Sequence, residues 1–136
     1  MAERLLRCTV FTPERTVLDQ SADFVVLPLE DGEMGIARMH APLMARLGAG
    51  VLRVRLGQMT SRFYVESGFA EVFDDKVVVL THHIVPVQQL DAKAILAQMD
   101  AVKTHRAESA DQQARKQQTL ERLRIQLRLA DRFAGK

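Results

Sequence analysis

The apolar positions of this chain change period once. From Leu5 to about Val85, turn residues recur roughly every ten positions: Thr12-Pro13-Glu14, Glu30-Asp31-Gly32, Gly48-Ala49-Gly50, Leu56-Gly57-Gln58 and Asp74-Asp75. The segments between them alternate with a period of two. Leu52, Val54 and Leu56 alternate with Val51, Arg53 and Arg55, the pattern of a half-buried strand, and Leu6, Cys8 and Val10 repeat it near the start. Val77-Val78-Val79-Leu80 is a continuous run and predicts a more deeply buried strand. Several short strands with no helical pattern between them predict a sandwich or barrel built mainly of antiparallel pairs.

After Pro86 the pattern becomes helical. Gly and Pro are absent until Gly135, and Ala, Gln, Leu, Arg and Lys dominate, all strong helix formers apart from the occasional interruption. The periodicity lapses at His105-Arg106-Ala107-Glu108, and Ser109 with Gln112 has the Ser-x-x-Gln spacing of a capping box, so a turn is expected near residues 105–109. Leu90, Ala94, Ala97 and Ala101 form one predicted apolar stripe, and Leu120, Leu123, Leu127 and Ala130 the other. The expected architecture is a β-sandwich over residues 1–86 followed by an antiparallel α-helical hairpin over residues 87–136, the hairpin having a thin, alanine-rich core that buries little apolar surface.

Composition and charge narrow the function. The 136 residues fit one domain with an appendage, and 47% hydrophobic with 26% charged residues is the balance of a chain that buries a core. Charges interrupt every apolar run at the N-terminus, so synthesis for the cytoplasm is expected, and no run reaches the roughly 18 apolar residues of a membrane span. Residues 1–86 hold 9 basic and 11 acidic side chains, whereas residues 87–136 hold 10 and 6. A net −2 body with a +4 tail points the tail towards an acidic partner.

The chemistry-bearing residues are few. Cys8 is the one cysteine, which excludes an internal disulfide and a cysteine zinc site; its alternation with Leu6 and Val10 makes it a buried strand residue. His82 and His83 are adjacent, and neighbours on a strand face opposite ways, which opposes a shared metal ion. His40 has no nearby Ser or Cys nucleophile, and neither a Walker loop nor a GxGxxG follows a strand. No enzyme activity, metal or cofactor is therefore expected.

The run Glu30-Asp31-Gly32-Glu33-Met34-Gly35-Ile36-Ala37-Arg38-Met39-His40-Ala41-Pro42-Leu43 resembles the signature of F-type ATP synthase epsilon subunits, close to Gly-Glu-Phe/Leu-Gly-Ile-x-x-x-His-Ala-Pro-Leu. Thr12-Pro13-Glu14-Arg15, Gly50-Val51-Leu52-Arg53-Val54 and Ser67-Gly68-Phe69-Ala70-Glu71-Val72 extend the resemblance through the first region. The family also includes the mitochondrial delta subunit, made with a transit peptide; none is visible here, so a bacterial chain is expected. This sequence lacks the proline that the family often carries near Arg38 or Met39 and at Ala49.

The resemblance implies a non-catalytic rotor subunit of the central stalk, peripheral on the cytoplasmic face of the bacterial inner membrane and attached only through the c-subunit ring. It implies that the loop end bearing Glu33 and Gly35 meets the c ring and that His40, Pro42 and Leu43 lie close to the gamma subunit. It implies further that the hairpin, with Arg115, Arg122, Arg124, Arg128 and Arg132, extends to acidic segments of the alpha and beta subunits and inhibits ATP hydrolysis. Some relatives bind ATP through Leu/Ile-Asp-x-x-Arg-Ala; here Leu90-Asp91-Ala92-Lys93-Ala94 keeps Asp91 but has Ala94 at the arginine position, which weakens an ATP site at Asp91. The alternative is a β-sandwich module gripping nucleic acid with its basic tail, although Phe133 is the tail's one aromatic residue for base stacking.

Overall fold

The computed structural model describes residues 4–133, and the chain divides between Val85 and Pro86 into two compact units. The first is all strand: β1 (Leu6–Phe11), β2 (Thr16–Ala22), β3 (Phe24–Leu29), β4 (Gly32–Ile36), β5 (Leu43–Arg46), β6 (Gly50–Leu56), β7 (Met59–Phe73) and β8 (Lys76–Pro86). They run in the order β2-β1-β8-β7-β6-β3-β4, with β5 added on β7. Pairs β1/β2, β3/β4, β3/β6, β5/β7 and β6/β7 are antiparallel, whereas β1 and β8 pair in parallel. That parallel pair joins two strands far apart in the chain.

The long strand β7 changes layer partway. Val65, Ala70 and Val72 all face the core, although strict alternation from Val65 would turn Phe69 and Glu71 inward. Ser67 (φ 52°) and Gly68 (φ 125°) make the switch, a bulge-like irregularity that lets both halves of β7 cover one interior. A side chain at Gly68 would place its Cβ 1.9 Å from the Leu80 carbonyl oxygen, so only glycine fits. Beside it the fully buried Thr81 shares its hydroxyl hydrogen between the carbonyl oxygens of Glu66 and Ser67, each 2.9 Å away. A buried hydroxyl with partners costs little, and this one ties the kink to β8.

The interior is one cluster drawn from β1 (Leu6, Cys8, Val10), β3 (Val25, Leu27, Leu29), β4 (Ile36), β6 (Leu52, Val54), β7 and β8 (Val77, Val79), with Leu47 added. Each buried Val, Leu or Ile contributes about 1.5–3 kcal/mol relative to exposure. The expected alternation is present in β1 and, in β6, as far as Val54, whereas Leu56 at the strand's end is exposed beside the Gly57 turn; burial pushes the Cys8 thiol up to about 12, the nearby Asp19 charge adding to it. The Val77–Leu80 run differs from expectation: Val77 and Val79 are buried, Val78 is half-buried and Leu80 is 47% exposed. Only one face of β8 lies in the core there, because β-branched residues favour a strand whether its outer face is covered or not.

The second unit has a 3-10 turn (Val87–Gln89), then α1 (Ala92–Thr104) and α2 (Ala110–Phe133). α2 packs on α1 and also reaches the 3-10 turn that precedes it, so the pair is antiparallel. The turn falls where the lapse in periodicity predicted it. Ser109 Oγ accepts the Gln112 N–H at 3.1 Å, while the Gln112 side chain accepts the N–H of Glu108 at 2.7 Å, one residue before the cap.

The stripe on α2 is as expected, with Leu120, Leu123 and Ala130 buried and Leu127 half-buried. On α1 the stripe is a different one. Ile95 and Met99 are buried, flanked by half-buried Ala92 and Val102, while Ala94, Ala97 and Ala101 are exposed. Large side chains remove more apolar area from water than methyl groups do, so they decide which face turns inward. Leu90 is buried but precedes the helix.

Candidate functional site

The signature segment begins in the β3/β4 hairpin. Gly32 follows the two-residue turn Glu30-Asp31 with φ 128°, a backbone state open to glycine, and pairs with Leu29. Gly35 serves another purpose: a Cβ there would lie 2.5 Å from the Phe24 ring, so its missing side chain makes room for Phe24. Glu33 and Gly35 thus stand on strand β4 and not in the loop itself, at the end of the strand order. Glu33 is exposed, with its carboxylate 3.6 Å from the Arg53 guanidinium.

Between β4 and β5 the chain turns at Met39, whose φ is 63°. Proline cannot adopt that angle, and a methionine there costs about 1–2 kcal/mol. The turn is held instead by Asp75, whose carboxylate accepts the Met39 N–H at 2.6 Å and lies 3.9 Å from Arg38 Nε. At Ala49 the other expected proline is replaced by close packing: Gly48 donates its N–H to the Pro28 carbonyl at 2.8 Å, and a Cβ on Gly48 would meet the Leu29 oxygen at 2.9 Å.

His40 follows the Met39 turn, with Nδ1 2.7 Å from the Ala41 carbonyl oxygen, an arrangement that requires the proton on Nδ1. Pro42 is exposed, and Leu43 starts β5 opposite Val72 and packs on the core. The outward face of β5 and β7 carries residues that the motif alone did not single out. Met44 is 70% exposed and Phe69 50%, and the Arg46 guanidinium sits 5.8 Å from the centre of the Phe69 ring. Their signal in the sequence was apolar residues at the outward positions of alternating strands. Met39, 83% exposed, adds to the apolar surface of this segment.

Among the described residues, no group of three His, Cys, Asp or Glu side chains stands close enough to hold a metal ion, and His82 and His83 are both exposed on β8. No helix there is long and apolar enough to cross a membrane.

In the helical unit Asp91 caps α1, its carboxylate accepting the Lys93 N–H at 3.0 Å. Ala94 is exposed on the following turn. Arg115, Arg124, Arg128 and Arg132 are exposed along α2 and Arg122 is half-buried; Arg124 lies 3.6 Å from Glu121, and the Arg132 guanidinium 5.2 Å from the Phe133 ring. Lys116 closes the hairpin tip by donating to the Lys103 and His105 carbonyls at 3.1 and 3.0 Å, a C-cap for α1 that the spacing did not reveal.

Eight strands are followed by a capped helical pair, and a glycine-shaped hairpin runs into a tethered histidine-proline turn. Residues 5–87 match the family model described as the ATP synthase, Delta/Epsilon chain, beta-sandwich domain, and the chain belongs to that family. It is 54% identical over 86 residues to an ATP synthase epsilon chain of Rhodopirellula baltica, covering 63% of this chain and 67% of that one. It is 38% identical over 128 residues to the ATP synthase epsilon chain of Symbiobacterium thermophilum, covering 90% of each. Its fold is similar to a chain in the mitochondrial ATP synthase of Euglena gracilis (TM-score 0.78, 19% identity, 89% of this chain and 78% of that one). These relatives lend no support to the nucleic-acid reading.

Proposed function

We infer that this chain is a rotor subunit of an F-type ATP synthase central stalk that performs no catalysis itself and couples rotation of the c ring to the catalytic head. The observation that carries this reading is the family match over residues 5–87, together with the 38% identity that runs on through the helical unit. The surface agrees with it. Met39, Met44 and Phe69 expose apolar area on and beside the His40-Ala41-Pro42-Leu43 segment, the kind of surface a protein partner covers. Gamma is the partner assigned to this segment, and the c ring is assigned to the β3/β4 end bearing Glu33 and Gly35. Membrane attachment is indirect, through the c ring, on the cytoplasmic face of a bacterial inner membrane. Stripped membranes holding c rings should rebind the catalytic head only when this chain is supplied; rebinding without it would overturn the assignment.

The helical unit fits a conditional inhibitor. Its two helices bury few large side chains between them, while α2 exposes Arg115, Arg124, Arg128 and Arg132. Such a pair is held by a few kcal/mol, so a competing acidic surface on the alpha and beta subunits can draw it out. ATP hydrolysis by the reconstituted enzyme should rise when the chain is truncated after residue 86. Equal rates at every nucleotide concentration would remove the inhibitory role. Asp91 is engaged as a helix cap, and Ala94 supplies no charge, so an ATP site at this place is not part of the reading.

A further inference from the structure

His40 stands between the Met39 turn and Pro42, in a stretch whose backbone is fixed from both sides. Asp75 accepts the Met39 N–H at 2.6 Å, and Pro42 bars the helical conformation at Ala41. The ring is fixed as well, because its Nδ1–H donates to the Ala41 carbonyl at 2.7 Å. A neutral imidazole carries one proton, so Nε2 is left with a bare lone pair. Among the described residues nothing donates to that nitrogen, and it is not sealed from water.

Its surroundings are of another kind. Met39 and Met44, which flank it in the chain, and Phe69 on β7 are exposed apolar side chains that offer no hydrogen-bond donor. Nearby cations are occupied: Arg38 lies 3.9 Å from Asp75, and the Arg46 guanidinium stands 5.8 Å from the Phe69 ring centre. A partner that covers Met39 and Met44 also takes water from the half-buried His40 between them. An acceptor that loses its water and gains no donor forfeits its hydration, so a partner that fits this surface places a donor at Nε2.

We propose that His40 is the polar specificity contact of this surface, accepting through Nε2 a hydrogen bond from an N–H or O–H group of the partner. Nδ1 keeps the ring's one proton, so the direction of the bond is set before the partner arrives. A carbonyl or carboxylate placed at Nε2 would set lone pair against lone pair and be rejected. The inference rests on the assignment of gamma to the His40-Ala41-Pro42-Leu43 segment and adds which atom is read and which way the hydrogen bond runs.

Nitrogen NMR of the full chain with isotope-labelled histidine rings tests it at about pH 8, where imidazole is neutral. The free chain should show the His40 proton on Nδ1 and a bare Nε2. Adding gamma should move the Nε2 signal upfield, towards that of a hydrogen-bonded acceptor, while Nδ1 keeps its proton. His40→Phe retains a ring without the acceptor and should bind gamma roughly tenfold more weakly, the gamma donor being left unpaired. His40→Gln, whose side-chain carbonyl can accept in place of Nε2, should recover most of that loss. Should His40→Phe fail to fold, the signals of the unaltered chain decide. A proton on Nε2 in the free chain, an unmoved Nε2 signal with gamma bound, or full affinity in His40→Phe would each overturn the proposal. An unaltered chain that does not bind gamma would overturn the gamma assignment and this contact with it, and is told apart because no signal of the chain then moves.

Discussion

The carboxylate of Asp75 accepts the backbone N–H of Met39 at 2.6 Å, joining the β7/β8 turn to the start of the His40-Ala41-Pro42 segment. The two residues are 36 apart in the chain, and both have positive φ, 59° at Asp75 and 63° at Met39. A strained turn that orients the proposed gamma contact is thus held by a side chain from another hairpin.

Replacing Asp75 with glycine keeps the turn's backbone freedom and removes the carboxylate. The expected result is a loss of about 1 kcal/mol in urea unfolding, within the range for one hydrogen bond. Faster hydrogen exchange at the Met39 amide should accompany it, with little change in the amides of β6. Unaltered exchange at Met39 would mean that the turn holds itself.

Gly68→Ala should be far more damaging. Its Cβ would sit 1.9 Å from the Leu80 oxygen, in a backbone state at φ 125° that L residues rarely adopt. A cost above ~3 kcal/mol is expected, enough to remove much of a small domain's stability. Chemical denaturation midpoints measure it, and a loss below about 1 kcal/mol would show that the β7 kink can relax.

Asp23 gives a pH signature. Its hydrogen bonds from Arg55, and then from the Gly57 N–H, hold its carboxyl below the ordinary value of 3.8. A lowered folded pKa adds stability that is present above the ordinary value and disappears as the pH falls through the lowered one. Thermal midpoints of the original chain and Asp23→Asn should therefore differ at neutral pH and converge in acid. A gap that persists with that carboxyl fully protonated would assign the effect to packing.

On α1, Ile95→Ala should destabilise the helical pair by about 2 kcal/mol or more, whereas Ala97→Gln should change it by under about 0.5 kcal/mol. Helical circular dichroism during unfolding separates the two. Equal effects would restore the alanine face as the packed one.

Those two residues also show where the pattern of the chain was legible. Period alone separated strands from helices, and positions needing special backbone angles, such as Gly32, Gly57 and Asp74-Asp75, marked turns that the structure contains. The capping box placed the hairpin turn through a local hydrogen bond between Ser109 and Gln112. The α1 face was misread because its alanines were weighted like larger side chains, and burial follows area. The parallel β1/β8 pairing and the Asp75 tether were illegible for another reason: both join residues distant in the chain, and no local spacing encodes them. In the candidate site, the motif located Glu33 to Leu43, while Met44 and Phe69 emerged only when β5 paired with β7.

The rotor assignment is tested most directly by co-purifying the full chain with gamma and the c ring from the same source. A stable complex with both is predicted, with gamma retention falling at least roughly tenfold in a Met44→Glu/Phe69→Glu chain, because two charges would be buried without partners. A folded chain that binds neither gamma nor the c ring would contradict the assignment.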